Sequence, residues 1–188
     1  MFYEESLHLY RELGNKVGVA QALNNLGIGA RQQGEYDKAW AFLEESLAIS
    51  RGVGSKISIA NSLECLGFLA FKQTDYKRAV TLYSESLTMF KELGNMLGIS
   101  CCLEGLARLA SVLGELERSA RLFGAAEALR ETIHTPLPPI DRDDYNHDVA
   151  TARAGLDEET FTAAWAQGRS MIGARLLVFA LTTVGVIA

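Results

Sequence analysis

The residue types best suited to chemistry cluster in the last third of the chain, where two histidines stand among four aspartates. Imidazole and carboxylate groups bind metal ions, and Asp144 and His147 are three residues apart on a predicted helix. No second histidine and carboxylate pair completes a set of ligands, and acidic residues are typical of a solvated helix start. We therefore predict no metal site at these residues, which are His134, Asp141, Asp143, Asp144, His147 and Asp148.

The sequence carries none of the short motifs that place a nucleophile or a phosphate. It has no Ser-His-Asp ordering, no Gly-x-Ser-x-Gly and no glycine-rich phosphate loop. Cys65, Cys101 and Cys102 lie in apolar helical patterns, and adjacent residues on a helix point about 100° apart. We expect small buried thiols rather than a redox or metal site, and we predict that the chain is not an enzyme and binds no cofactor.

The composition is that of an ordinary globular protein. Of the 188 residues 48% are hydrophobic, and 18 Lys and Arg against 23 Asp and Glu give a net charge of −5. Binding to nucleic-acid phosphates needs clustered Lys and Arg, whereas the pI is near 5.3 and the sequence has no long basic run. We predict no direct nucleic-acid binding.

The sequence before this cluster repeats every 40 residues, up to about residue 132. Glu-Ser-Leu occurs at 5–7, 45–47 and 85–87, and Glu-Leu-Gly-Asn occurs at 12–15 and again at 92–95. A fixed period of this size is typical of a stacked array of helical units. Such an array presents an extended surface, so its expected function is to hold a partner.

Each repeated unit is predicted to be two helices joined by a tight turn. Apolar residues recur at helical spacing on both sides of Gly34, and Thr74 and Gly114 stand at the equivalent turns. Glycines that end the second helices stand at 14, 54 and 94. The predicted helices span 17–33, 36–51, 57–73, 76–92, 97–113 and 116–132, with two more at 141–154 and 157–169.

Small residues recur where the two helices of a pair must approach each other. The pattern is carried by Leu26, Gly27, Ala30, Gly34, Tyr36, Ala39 and Leu43, then by Leu66, Gly67, Ala70, Tyr76, Ala79 and Tyr83, and more loosely by Leu106, Ala107, Ala110, Gly114, Leu116, Ser119 and Phe123. It resembles the tetratricopeptide repeat, although the usual period is about 34 residues and the usual closing proline is absent. The resemblance implies an all-α, right-handed superhelical solenoid of antiparallel helix pairs with C-terminal capping helices.

We divide the chain into a repeat region at 1–132, a linker at 133–140 and a C-terminal part at 141–188. The linker holds all three prolines, which forbid helix continuation. The C-terminal part holds the capping helices and an apolar tail. Because the first residues match only the second helix of a pair, we expect a piece of a longer protein. The repeat region contains a half unit at 1–13 and full units at about 17–51, 57–92 and 97–132.

The segment from Arg121 to Arg130, the prolines at 136–139 and the segment 161–169 carry a second resemblance. They are similar to the end of the repeat region in bacterial multidomain regulators that couple an ATP-binding signalling module to tetratricopeptide repeats, many of them LuxR-type transcriptional regulators. The resemblance implies a sensor or partner-binding segment of a larger bacterial signalling or transcriptional regulator. Two alternatives stay open, a small-molecule effector-binding sensor domain and a stand-alone homo-oligomeric assembly scaffold.

The repeat resemblance also implies that the first helix of each pair lines a concave groove for a protein or peptide partner. Phe68 and Phe71 would be apolar anchors there, and Asn25, Arg31 or Arg108 would fix a carboxylate or a backbone. The alternative is a solvated face on which the phenylalanines pack against neighbouring units. The predicted partner-binding residues are Asn24, Asn25, Ile28, Arg31, Glu64, Phe68, Phe71, Lys72, Glu104 and Arg108.

The apolar tail at 176–188 is predicted not to cross a membrane. As a helix it would cover only about 20 Å, whereas the hydrocarbon core of a bilayer is about 30 Å thick. Since no basic segment leading into an apolar stretch opens the sequence, we expect a cytoplasmic location. Exposed apolar surface drives association, so the tail or the half unit at 1–13 is a candidate for homo-oligomer formation, with burial of the tail as a final helix as the alternative.

Overall fold

A computed structural model describes residues 2–171 and 173–182. These described residues form helices and contain no strand, which confirms the all-α prediction. The helices are α1 (Phe2–Glu12), α2 (Lys16–Gln32), α3 (Tyr36–Val53), α4 (Lys56–Lys72), α5 (Tyr76–Glu92), α6 (Met96–Val112), α7 (Leu116–Thr132), a short 3-10 helix (Pro139–Asp141), α8 (Arg142–Ala154), α9 (Glu158–Ser170) and α10 (Gly173–Leu181). The bounds agree with the predicted helices to within two residues.

The helix starts follow from local hydrogen bonding. The Asn15 side chain accepts from the backbone N–H of Gly18 at 3.0 Å before α2, and Asn95 accepts from that of Gly98 at 2.9 Å before α6. Each bond satisfies a donor that the first helical turn leaves without a partner. The asparagines that recur 80 residues apart in the sequence are therefore helix caps.

The turns between helices require a left-handed backbone. Glycine adopts it without steric cost after α1, α3 and α5, and it does so again at Gly34 and Gly114 within the pairs. Thr74 and His134 adopt the same conformation, with φ of 61° and 51°, at the two equivalent positions that lack glycine. A side chain with a Cβ is strained there, so both residues cost stability that a glycine would not.

The chain divides into two compact units, Met1–Leu93 with α1 to α5 and Gly94–Ala188 with α6 to α10. In the first unit α2 pairs with α3 and α4 with α5, while α1 packs on α2 and α3 on α4. The pairs are antiparallel, because Ser46 contacts Ala20 while Leu43 lies against Gly27, further along α2. The pairing prediction is confirmed, and the superhelical sense stays a prediction.

In the second unit α6 pairs with α7, and α9 packs on the other side of α7. Gly124 and Gly168 let the backbones of α7 and α9 approach so closely that a Cβ on either would meet the backbone of the other helix. Helix α8 lies against α6 and α7. The helices after the proline segment thus cover the last repeat pair, while the predicted domain boundaries stay predictions.

The described part of the apolar tail packs within the second unit. Leu176 and Ala180 of α10 are buried, and Arg118 Nη2 of α7 donates to the Phe179 carbonyl at 2.5 Å. Residues 183–188 of the predicted tail lie outside the described residues. Within the described ranges, no helix combines the length and the apolar character that crossing a bilayer requires.

Candidate partner-binding face

The first helices of the two pairs in unit 1 place four carboxamide side chains around one cavity of about 360 Å³. Tyr3 and Tyr10 of α1 line its other side. A carboxamide offers one acceptor and two donor hydrogens, as a peptide backbone needs from a binding site. We call the surface formed by α2 and α4 around this cavity the α2–α4 face. The amides belong to Gln21, Asn24 and Asn25 of α2 and to Asn61 of α4.

A buried hydrogen-bond chain fixes Asn24 in place. The Ser46 hydroxyl donates to the Ala20 carbonyl at 2.8 Å, and the Ser62 hydroxyl has its one hydrogen to share between Ser46 Oγ at 3.0 Å and Asn24 Oδ1 at 3.3 Å. These groups connect α2, α3 and α4. Since a buried polar group without a partner is costly, the chain holds the three helices in one register and sets the orientation of the Asn24 amide.

The other end of the α2–α4 face carries two cations over one aromatic ring. The Phe68 ring lies 4.5 Å from the Arg31 guanidinium carbon and 5.3 Å from Lys72 Nζ. Both cations stand in the last turn of their helices, where the negative end of the helix dipole favours them. Phe68 itself is only 8% exposed, so its ring supports the two cations, and the anchor role expected for it stays a prediction.

The remaining predicted residues of unit 1 are half-buried. Phe71 packs on Tyr76, with ring centroids 5.8 Å apart, at the turn between α4 and α5. Glu64 accepts a weak hydrogen bond from Cys65 Sγ at 3.3 Å, and Ile28 is half-buried in α2. The structure therefore brings the predicted residues of α2 and α4 to one face, with amides at one end and cations at the other.

The predicted residues of unit 2 take part in ion pairs within that unit. Arg130 of α7 donates to both carboxylate oxygens of Glu104, with Nε–Oε1 at 2.5 Å and Nη2–Oε2 at 3.1 Å. Burial lowers the pKa of Arg130, but the hydrogen bonds and the charge of Glu104 outweigh it and raise the pKa overall. Arg108 pairs with Asp148 of α8. Glu104 and Arg108 of α6 therefore connect this helix to α7 and α8 through ion pairs.

A second cavity, of about 560 Å³, opens in unit 2 beside the proline segment. Tyr145 of α8 lines it and packs edge-on against Phe123, with centroids 5.3 Å apart. Burial, followed by the charges of Glu104 and Glu127, raises the pKa of the Tyr145 phenol. The other lining residues are Glu127, Arg130, Glu131, His134, Thr135, Pro136 and Leu137.

The histidine and aspartate cluster does not converge. Asp148 pairs with Arg108, whereas His134 stands in the left-handed turn after α7 and lines the second cavity. Over residues 2–171 and 173–182, His, Cys, Asp and Glu form no group of three or more that could hold a metal ion. Cys65 and Cys102 are buried, Cys101 is half-buried, and no disulfide joins them.

Residues 1–52 match the family model of the tetratricopeptide repeat. That match and the repeated helix pairs support a protein of the tetratricopeptide type. Proteins of this type bind other proteins, and their repeats are typically non-catalytic. No curated protein matches the chain.

Sequence reasoning did not find the part that α1 has in the first cavity. Tyr3 and Tyr10 lie in the segment 1–13, which the sequence predicts as half of a unit and as a candidate for homo-oligomer formation. It also missed Arg130 as the partner of Glu104, although Arg130 stands 40 residues after the buried Phe90. The sequence did indicate that Arg130 needs a partner, because the repeat buries this position and a buried charge must be paired.

Proposed function

We propose that this chain is a non-catalytic partner-binding module that holds a peptide segment on the α2–α4 face. The observation that carries the proposal is the convergence of Asn24, Asn25 and Asn61 on one cavity, with Arg31 and Lys72 at the far end of the same two helices. We further propose that the module belongs to a larger bacterial signalling or transcriptional regulator and acts in the cytoplasm. The similarity of the segment from Arg121 onwards to such regulators supports this context.

The chemistry of the face indicates the kind of segment. Side-chain amides pair with peptide N–H and C=O groups regardless of sequence, so they would hold a backbone. Arg31 and Lys72 would attract a carboxylate. The negative ends of the dipoles of α2 and α4 stabilise these two positive charges. The proposed ligand is therefore an extended peptide with an acidic group near one end.

A random peptide library displayed on phage and selected against the intact chain tests this proposal. Selected peptides are then titrated against the wild type and against the variant N25A/N61A, and we expect at least about tenfold weaker binding to the variant, which corresponds to about 1.4 kcal/mol. The matched control is Asn146→Ala, which removes an exposed amide from α8 of unit 2.

Binding that N25A/N61A leaves unchanged would contradict the proposal, as would a selection that enriches no sequence. Circular dichroism of each variant checks that the helices are retained. If N146A weakens binding as much as N25A/N61A, the site is not on the α2–α4 face.

A second candidate function is effector binding in unit 2, and the cavity beside Tyr145 favours it. Its volume of about 560 Å³ lies in the range of small-molecule sites, and its lining combines apolar side chains with a few polar groups. A thermal-shift screen with small aromatic and aliphatic compounds would test it. The thermal shift caused by a compound should be lost in Leu137→Trp, where the larger side chain fills the cavity. It should be kept in Ile140→Trp, because Ile140 is exposed outside the cavity. Equal thermal shifts in both variants would exclude this cavity as the binding site.

A further inference from the structure

The second cavity lies between α7, α8 and the proline segment of unit 2. Pro136, Leu137 and the ring of Tyr145 give it apolar walls. Walls of this kind bind the hydrocarbon part of a small molecule, whereas a few polar groups select its functional group. The hydrogen bonds and charges of the other lining side chains indicate which functional group that is.

The Tyr145 hydroxyl is a donor to which the described residues offer no acceptor. Tyr145 is half-buried, and its ring packs edge-on against Phe123 with centroids 5.3 Å apart, which fixes the hydroxyl in place. The charges of Glu104, Glu127 and Arg130 act on the phenol, yet no described residue forms a hydrogen bond with it. Burial, followed by the two carboxylates, raises the pKa of the phenol, which therefore keeps its proton and stays a donor.

Arg130 supplies further donors to the same cavity. It is only 8% exposed, and its Nε and Nη2 donate to the two carboxylate oxygens of Glu104 at 2.5 and 3.1 Å. In a guanidinium that binds a carboxylate in this way, Nη1 lies on the side away from the carboxylate. Among the residues that the structure describes, none accepts a hydrogen bond from Nη1. Glu104 therefore holds the guanidinium in place, and Nη1 keeps its two hydrogens for a ligand.

The charges around the cavity favour an uncharged ligand. Glu127 and Glu131 line the cavity, and both accept hydrogen bonds from Arg169 of α9. Together with the pair of Glu104 and Arg130, this gives three carboxylates against two guanidinium groups. A negatively charged ligand would meet this excess of carboxylates, and an ammonium group would face donors that need an acceptor.

From these observations we infer that the second cavity binds an uncharged small molecule that joins an apolar body to a carbonyl group, as a primary amide or an ester does. The carbonyl oxygen accepts from the Tyr145 hydroxyl, with Arg130 Nη1 as the donor for its second lone pair. The apolar body lies along Pro136 and Leu137. This inference rests on the second candidate function, effector binding in unit 2, and adds the chemistry of the effector.

The test titrates the intact chain with compounds that share an apolar body and differ in charge. The first set is 4-propylbenzamide, 4-propylbenzoate and 4-propylbenzylammonium, and two more sets carry a cyclohexyl or a hexyl group in place of the propylphenyl group. Nitrogen–proton correlation spectra of the labelled chain at pH 7 give the dissociation constants. We expect the amide of at least one set to bind at least about tenfold more tightly than its acid and its amine.

Protein variants identify the donor. Tyr145→Phe removes one oxygen atom and should weaken binding of the amide about three- to tenfold, as the loss of one hydrogen bond does. The preference for the amide over the acid should narrow as well, which a purely structural effect of the substitution would not cause. The matched control Tyr36→Phe changes a half-buried tyrosine of α3 in unit 1 and should leave binding unchanged.

Leu137→Trp separates a wrong ligand class from a wrong site. Tighter binding of the acid or the amine that L137W abolishes would overturn the inferred chemistry and leave the cavity as an effector site. Binding that L137W leaves unchanged would show that the effector site itself is elsewhere, and the inference would fail with it. The inference is also wrong if no amide of the three sets binds, or if Y145F binds the amide as tightly as the wild type.

Discussion

Gly27 offers the sharpest test of how the helix pairs are packed. An alanine there would place its Cβ 2.6 Å from Leu43 Cγ and 2.8 Å from Cδ2, much closer than the roughly 3.5–4.0 Å of a normal carbon contact. Overpacking of this kind costs about 1–3 kcal/mol. The replacement of a helical glycine by alanine returns about 1 kcal/mol, so G27A should destabilise the chain by about 1 kcal/mol.

Gly29 is the matched control on the same helix. A Cβ added there meets nothing within 4 Å, so G29A should gain up to about 1 kcal/mol from helix propensity alone. The two variants carry the same substitution two positions apart and should differ by about 2 kcal/mol in the free energy of unfolding. For a chain of this length that is about 4–8 °C in melting temperature.

Urea unfolding followed by circular dichroism at 222 nm, with thermal melts beside it, measures both variants. The double variant G27A/L43A identifies the collision, because removal of the Leu43 side chain should reduce the penalty of the added Cβ and give a favourable coupling energy. The packing described for α2 and α3 is refuted if G27A is as stable as G29A.

Three further predictions concern stability. Ser46→Ala should lower the free energy of unfolding by about 1 kcal/mol, because the Ser46 hydroxyl donates to the Ala20 carbonyl. Ser50→Ala should leave it unchanged, because the buried Ser50 hydroxyl has no partner among the described residues. Chemical denaturation that ranks the two variants the other way would contradict this. Thr74→Gly should raise the melting temperature by about 2–4 °C, since it removes roughly 1 kcal/mol of left-handed backbone strain, and an unchanged or lower value in calorimetry would argue against that strain. Burial raises the pKa of the Tyr145 phenol, so the folded state favours the neutral phenol and gains stability from it. That stability is fully present below the unfolded pKa of about 10 and is lost as the pH rises through the pKa of the folded state. Urea titrations at pH 9 and 11 should therefore show a larger loss of unfolding free energy for the wild type than for Tyr145→Phe.

The helices and turns were predictable because they depend on local signals that repeat. Apolar residues at helical spacing and the glycines at 14, 34, 54, 94 and 114 marked the elements correctly. Thr74 was predicted at a tight turn from the period alone, and it adopts the left-handed backbone of its glycine counterparts. Because the pattern occurs in three copies, an atypical residue in one copy does not hide the helix or turn that the other two copies indicate.

Contacts between distant segments were not predictable from the same signals. The approach of Gly124 to Gly168 joins a repeat helix to a helix beyond the prolines, where the period gives no register. The burial of Phe68 beneath Arg31 and Lys72 depends on side-chain conformations on two helices. The structure brings the predicted residues of α2 and α4 to one face of unit 1, and their role in partner binding stays a prediction. The sequence did not indicate which of these side chains are accessible.

The most direct test of the central claim is a nitrogen–proton correlation spectrum of the labelled intact chain with a library-selected peptide added. Side-chain amide groups of asparagine give their own signals, so Asn24, Asn25 and Asn61 report on binding directly. If the α2–α4 face binds the peptide, these signals and the backbone of α2 and α4 shift together, while Asn146 in α8 stays unchanged. Shifts confined to α8 and α9, with the three amides unmoved, would contradict the account.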